Sequence, residues 1–151
     1  MLHRRVPPPL VMLITGWLMW VTQRVLPEVA MEIGPWRWLA SPLVLVALAL
    51  MGLALREFRR HVTTVDPRYP ERSTGLIERG IYRHTRNPIY LADSLLLLAW
   101  GVYLANPVAL GWVPVFMFII GRHQIAAEEA ALAQRFGLAY QQYRSRVRRW
   151  V

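Results

Sequence analysis

Charged positions are absent from long stretches of this chain and crowd into the short stretches between them. Val6 to Gln23 holds no charged side chain, and neither does Trp38 to Leu55. Each is long enough to cross a bilayer as a helix, which takes roughly 20 apolar residues. From Asn87 to Gly121 the only charge is Asp93. As one straight helix that run would be about 50 Å long, against a hydrocarbon core of about 30 Å. Asn106-Pro107 favours a turn, so the run is predicted to be a hairpin, with Pro114 as a kink in its second half. The pattern predicts an all-α integral membrane protein with about four transmembrane helices, near 6–23, 38–55, 88–104 and 108–121. A C-terminal amphipathic helical region, 122–151, completes one domain spanning 1–151. The first run follows Arg4 and Arg5 as a signal peptide would. Pro7-Pro8-Pro9 and the Trp-rich run offer no convincing small-residue cleavage site, so it is read as a retained helix.

Composition sharpens this picture. The 151 residues are 55% hydrophobic, yet 18 basic and 9 acidic residues give a formal net charge of +9. So much apolar content excludes a disordered polyelectrolyte, and so small a soluble globule would struggle to bury it. The absence of Cys excludes disulfides, thiolate nucleophiles and Cys-ligated metal sites. All the basic residues are Arg, and only Arg24 and Arg37 fall in the first hairpin loop. The others precede the first helix, follow the fourth, or fall in the loop between the second and third, where Arg56, Arg59 and Arg60 are placed. By the positive-inside rule that face is cytoplasmic, with both termini on it, as in a bacterial inner membrane. Charge arranged by topology needs no nucleic-acid partner and suits contact with anionic membrane lipids.

Two segments can carry chemistry. The first is Gly80-Ile-Tyr-Arg-His-Thr-Arg-Asn-Pro-Ile-Tyr90, at the entrance to the third helix. Gly80 permits positive φ or close backbone approach, Asn87 is placed as a helix cap, and Pro88 takes the first helical position. Tyr82, Arg83, His84 and Tyr90 add aromatic faces and polar tips. These residues fit either a ligand site or an interfacial belt. The second segment is Arg122 to Phe136. Ile125, Leu132 and Phe136 form an apolar stripe at helical spacing, and Glu129 falls on it. Arg122, two turns earlier, is placed on roughly the same face, with Glu128 rotated by about 100°. A carboxylate on an apolar face needs a partner, either an arginine of the middle loop or a ligand. Asp93, within the third helix, is another buried-charge candidate. The His and Glu residues lack the spacing of a helical metal site, so no metal is assigned.

Together these segments resemble a known family. Gly80 to Tyr90 looks like the Gly-Pro-Tyr-Arg-x-x-Arg-His/Asn-Pro-x-Tyr motif of the isoprenylcysteine carboxyl methyltransferases and the related phospholipid N-methyltransferases. Glu128-Glu129-x-x-Leu132, with Phe136-Gly137-x-x-Tyr140-x-x-Tyr143, is similar to that family's C-terminal signature. The resemblance covers about Gly75 to Trp150. It implies S-adenosylmethionine as cofactor, in a cytoplasmic pocket formed by the helix 2–3 loop and the C-terminal helix. A small or lipophilic methyl acceptor (carboxylate, thiol or amine) would reach that pocket from the bilayer. It further implies cofactor contacts from Gly80, Tyr82, Arg83, His84, Asn87, Pro88, Tyr90, Glu128 and Glu129, with Arg122 and Glu129 as catalytic candidates. Ile81 stands where the family often has Pro. Asn87 stands where the eukaryotic carboxyl methyltransferases have His, and Asn cannot titrate. The alternative reading is a non-catalytic membrane subunit that binds anionic lipid.

Overall fold

The computed structural model describes residues 7–32, 34–62 and 76–151, and every regular element in them is helical. Helix α1 is Pro8–Val25 and α2 is Ala40–Val62, preceded by 3-10 turns at Pro27–Val29 and Gly34–Leu39. A further 3-10 turn, Gly80–Arg83, leads to α3, Pro88–Leu104. The rest is α4 (Pro107–Leu110), α5 (Trp112–Ile119), a π-helical turn (Ile120–Ile125), α6 (Ala126–Phe136) and α7 (Leu138–Arg146). Two helical stretches, Arg37–Arg60 and Pro107–Phe136, are long and apolar enough to cross a membrane. Pro88–Leu104 is a shorter apolar helix.

The break after α3 has a local cause. Ala105 takes the left-handed conformation (φ 54°), which ends α3. The Asn106 side chain then accepts hydrogen bonds from the Val108 and Ala109 amides, and Pro107 opens α4. Its amide nitrogen donates to the Leu26 carbonyl at 3.0 Å, tying this turn to the end of α1. The next interruption is at Gly111, between α4 and α5. A proline ring crowds the carbonyl four residues earlier, and for Pro114 that carbonyl belongs to Leu110.

The core lies where α1, α3 and α5 meet. Met19, Leu97, Phe116, Ile120 and Ile125 are buried there. Gly101 lets α3 approach closely, because a Cβ there would collide with the Leu110 side chain. By contrast, α1 and α2 expose large apolar side chains, among them Leu13, Trp17, Leu45 and Leu48. Such a surface is costly in water and suited to lipid.

One placement differs from the sequence reading. Arg56, Arg59 and Arg60 are not in a loop, because α2 continues to Val62 and carries them on its last turns. Arg and Glu are good helix formers, so nothing in Arg56 to Arg60 stops the helix where its apolar run ends. Arg68 and Arg72 lie outside the described residues.

Candidate functional site

The N-terminus of α3, the middle of α6, and α7 surround a cavity of about 500 Å³. Its polar lining includes Arg86, Asn87, Tyr90, Glu128 and Glu129, and its apolar and aromatic lining includes Phe58, Leu76, Leu132, Phe136 and Tyr143. Tyr82 and Pro88 also line it.

Glu129 is 7% exposed, although it sits on a helix rich in alanine. Both carboxylate oxygens are engaged by arginine. Arg86 Nη2 donates to Oε1 at 2.8 Å, Arg149 Nη2 donates to Oε2 at 2.6 Å, and Arg149 Nε reaches Oε1 at 3.2 Å. Of the two readings left open by the sequence, the structure shows the ion pair, with one partner from the α3 motif and one from the C-terminal tail. Two guanidinium groups on one carboxylate leave one positive charge in excess. Arg86 Nε is buried and has no hydrogen-bond partner among the described residues. A buried donor left open is costly unless something accepts from it.

Glu128 differs from its neighbour. Its Oε1 accepts from the Tyr90 hydroxyl at 2.7 Å and from the Gln124 amide at 2.7 Å. No described cation pairs with it. The cavity lining therefore carries a net positive arginine–carboxylate cluster and, on the next residue, a carboxylate with no described cation partner.

The tail after α7 fastens the turn that carries Arg86 and Asn87. The Arg149 carbonyl accepts from Thr85 Oγ1 at 3.2 Å and from Asn87 Nδ2 at 3.0 Å, and the Arg148 carbonyl accepts from the Arg86 amide at 3.1 Å. Tyr143 donates its hydroxyl to the Tyr82 carbonyl at 2.7 Å. Burial pushes the Tyr82 and Tyr143 phenols well above the usual tyrosine range. The hydrogen bond to Glu129 raises Arg149 further, so its charge is secure.

The structure separates the residues nominated from sequence. Tyr82, Asn87, Pro88, Tyr90, Glu128 and Glu129 line the cavity, whereas Gly80, Arg83, His84 and Arg122 do not. Gly80 serves the backbone instead, since its φ is +57° and an added Cβ would strike the Glu57 side chain. Arg83 and His84 are exposed. Arg122 is exposed too, off the face of Glu129. The cause is the π-helical turn Ile120–Ile125, whose wider i→i+5 winding turns through fewer degrees per residue than the α-helix assumed from spacing. Asn87 occupies the cap position of α3 but makes no side-chain cap; its Nδ2 instead donates to the tail carbonyl of Arg149. Arg149 and Phe58 were not singled out from sequence, and neither stands in a motif. Tyr140 and Tyr143, noted in the C-terminal signature but not nominated for the site, are both buried and line the cavity.

The chain resembles an uncharacterized protein of Haemophilus influenzae, strain Rd, with 43% identity over 63 residues, which are 42% of this chain and 100% of that protein. A family model, phospholipid methyltransferase, matches residues 35–139, a segment that runs from before α2 into α7 and contains Gly80 to Tyr90 and Glu128 to Gly137, with Tyr140 and Tyr143 just beyond it. That span is more than half the chain, and the chain belongs to the phospholipid methyltransferase family.

Proposed function

We propose that this protein is an S-adenosylmethionine-dependent methyltransferase that crosses the membrane four times and opens its pocket to the cytoplasmic face. The acceptor is a small or lipophilic molecule that arrives from the bilayer. The observation that carries the reading is the pairing of opposite charge demands in the lining of one cavity. The methionine end of the cofactor has a carboxylate and an ammonium. The Arg86–Glu129–Arg149 triad, with its excess charge and open Arg86 Nε–H, suits the carboxylate. Glu128, held by Tyr90 and Gln124, suits the ammonium. The aromatic side chains of the lining suit the adenine ring and the sulfonium.

When bound, this cofactor supplies an electrophilic methyl group for in-line transfer. The protein's share of the work is alignment and exclusion of water. Glu129 acts as a positioning group in this scheme, since both its oxygens are committed to arginine. Of Glu128 and Glu129, the scheme gives the ammonium contact to Glu128, and it gives Arg122 no part. Four crossings are supported by the apolar runs, the exposed apolar faces of α1 and α2, and the placement of the arginines.

The reading is tested by equilibrium binding of S-adenosylmethionine to the purified protein in detergent. Micromolar affinity is expected, with a loss of about 30-fold (~2 kcal/mol) in Glu128→Gln, the size of a charge-assisted hydrogen bond. No binding by the wild-type protein would refute the reading and favour a non-catalytic subunit that binds anionic lipid.

A further inference from the structure

One flank of α2 carries a second concavity, an open groove of about 380 Å³ lined by Gly52, Leu55, Arg56, Arg59 and Arg60. None of these residues lines the cavity of the candidate site. Spacings of three and four put them on one flank of the helix. Leu48 and Leu45, both exposed, continue that flank at the same spacing, away from the arginines. The flank therefore runs from apolar side chains, past a glycine, to a cluster of guanidinium groups. Those groups stand at the end of Arg37–Arg60, a stretch long and apolar enough to cross a membrane. That is the depth at which lipid headgroups meet a membrane helix.

Two observations bear on what fits there. The first is Gly52, since glycine inside a helix costs about 1 kcal/mol relative to alanine. Gly101 of α3 has a reason within the chain, because it makes room for Leu110. A Cβ at Gly52 would meet nothing within 4 Å among the described residues, so the space it leaves opens outward. The second is charge. Arg56 and Arg59 are exposed, and Arg60, 3.7 Å from Glu57, is still 59% exposed. Glu57 is the one carboxylate of α2, and it leans toward Gly80, where a Cβ would strike it. Three arginines against one carboxylate leave the flank positive. A second copy of this chain is a poor occupant, because copies inserted the same way bring their arginines to the same depth, where like charges repel.

We propose that this groove binds an anionic glycerophospholipid. Its phosphodiester sits among Arg56, Arg59 and Arg60, its glycerol beside Gly52, and an acyl chain along Leu48 and Leu45. Guanidinium forks match phosphate oxygens, and basic clusters at the membrane end of a helix recognise anionic heads. The lipid is a bound companion and not a methyl acceptor, so the proposal stands whether or not the chain transfers methyl groups. Its position gives it a consequence for the cavity. Phe58 stands on the same turns as the arginines, lines the cavity, and meets the Tyr82 ring edge-on at 6.1 Å. A phosphate that ties Arg56 to Arg59 and Arg60 steadies the turns that carry this part of the cavity wall.

The experiment uses the full chain, stripped of lipid in detergent and given phosphatidylglycerol or phosphatidylcholine with the same acyl chains. Bound lipid is counted by native mass spectrometry. The wild-type protein is expected to hold one phosphatidylglycerol at least about tenfold more tightly (~1.4 kcal/mol) than phosphatidylcholine. Arg56→Gln combined with Arg59→Gln removes that preference. Gly52→Leu fills the groove, keeps every charge, and weakens phosphatidylglycerol binding at least about fivefold (~1 kcal/mol). Arg79→Gln combined with Arg83→Gln removes the same charge from two exposed positions outside the groove and leaves the preference intact. Glycerophosphoglycerol, the head without the tails, does not displace the lipid at about tenfold excess. Equal binding of the two lipids by the wild-type protein overturns the proposal. So does an equal loss in the Arg79 and Arg83 pair, which would mean general surface attraction. Unchanged binding in Gly52→Leu overturns it as well, as does displacement by the free head, which would mark a site for soluble phosphates. A lipid-free dimer that Gly52→Leu breaks apart would make the groove a self-interface instead. If the Arg56 and Arg59 pair does not fold, the wild-type comparison and Gly52→Leu, which replaces glycine with a better helix former, decide the matter.

Discussion

At Glu129 a single carboxylate holds two arginines from opposite ends of the site. Removing one partner of a buried ion pair typically costs about 3–5 kcal/mol, because the other charge is left without compensation. Arg86 is the more buried partner, with 9% side-chain exposure against 36% for Arg149, so its loss is the more damaging. That Glu129 points inward follows from its place on the stripe of Ile125 and Leu132. A middle-loop arginine was one of the partners the sequence offered, and Arg86 is such a residue; which arginine, and the second partner Arg149, were not legible, because they lie 43 and 20 residues away and only the folded chain brings them together. Tyr82 and Tyr143 give a second prediction at this scale. Burial raises both phenols, so above the ordinary tyrosine value of about 10 the unfolded chain has lost protons that the folded chain still holds. Stability therefore falls as pH rises beyond that point. Thermal unfolding followed by circular dichroism should show a falling midpoint above about pH 10. In Tyr82→Phe and Tyr143→Phe that decline should be shallower; an unchanged decline would contradict the assignment.

The element that completes the site is the five-residue tail from Val147 to Val151. Its backbone carbonyls fasten the Thr85–Asn87 turn, Arg149 fastens Glu129, and Trp150 packs against the main core. Deleting Val147 to Val151 should leave the helical circular dichroism spectrum nearly unchanged while removing S-adenosylmethionine binding. Arg149→Lys should restore less than the full affinity, since a lysine cannot reproduce the two-point contact. Unimpaired binding by the truncated chain would show that the tail is a passive appendage. Nothing in the residue pattern announces this element, because a stretch of arginines beside a membrane has an adequate explanation in topology alone. The π-helical turn at Ile120–Ile125 was equally hidden. Spacing arguments assume uniform winding, and that assumption misplaced Arg122 while leaving Glu128 and Glu129, which share α6, correctly oriented to the cavity.

Over the whole molecule, the charge-free runs of the sequence correspond to helices, and the turn at Asn106-Pro107 falls where its residue types demand. The legible part of the fold was the part governed by solvent: which segments avoid water, and where the chain must turn. The illegible part was governed by contacts remote in sequence, including the tail on the α3 entrance, and by the continuation of α2 beyond its apolar run. The same division holds for the site, whose motif residues announced themselves and whose closing residues did not. Among the arginines, Arg86 and Arg149 bind Glu129 at the pocket, and those on the last turns of α2 suit an orienting role at a membrane surface. The central claim is methyl transfer, and it is tested most directly with S-adenosylmethionine labelled in its methyl group. The purified protein, reconstituted in vesicles of bacterial membrane lipid, is supplied with it together with long-chain amines and thiols. The account predicts a labelled, lipid-soluble product that disappears in Glu128→Gln and in the chain lacking its tail. An absence of labelled product from the wild-type protein across that panel, or equal labelling by all three proteins, would contradict it.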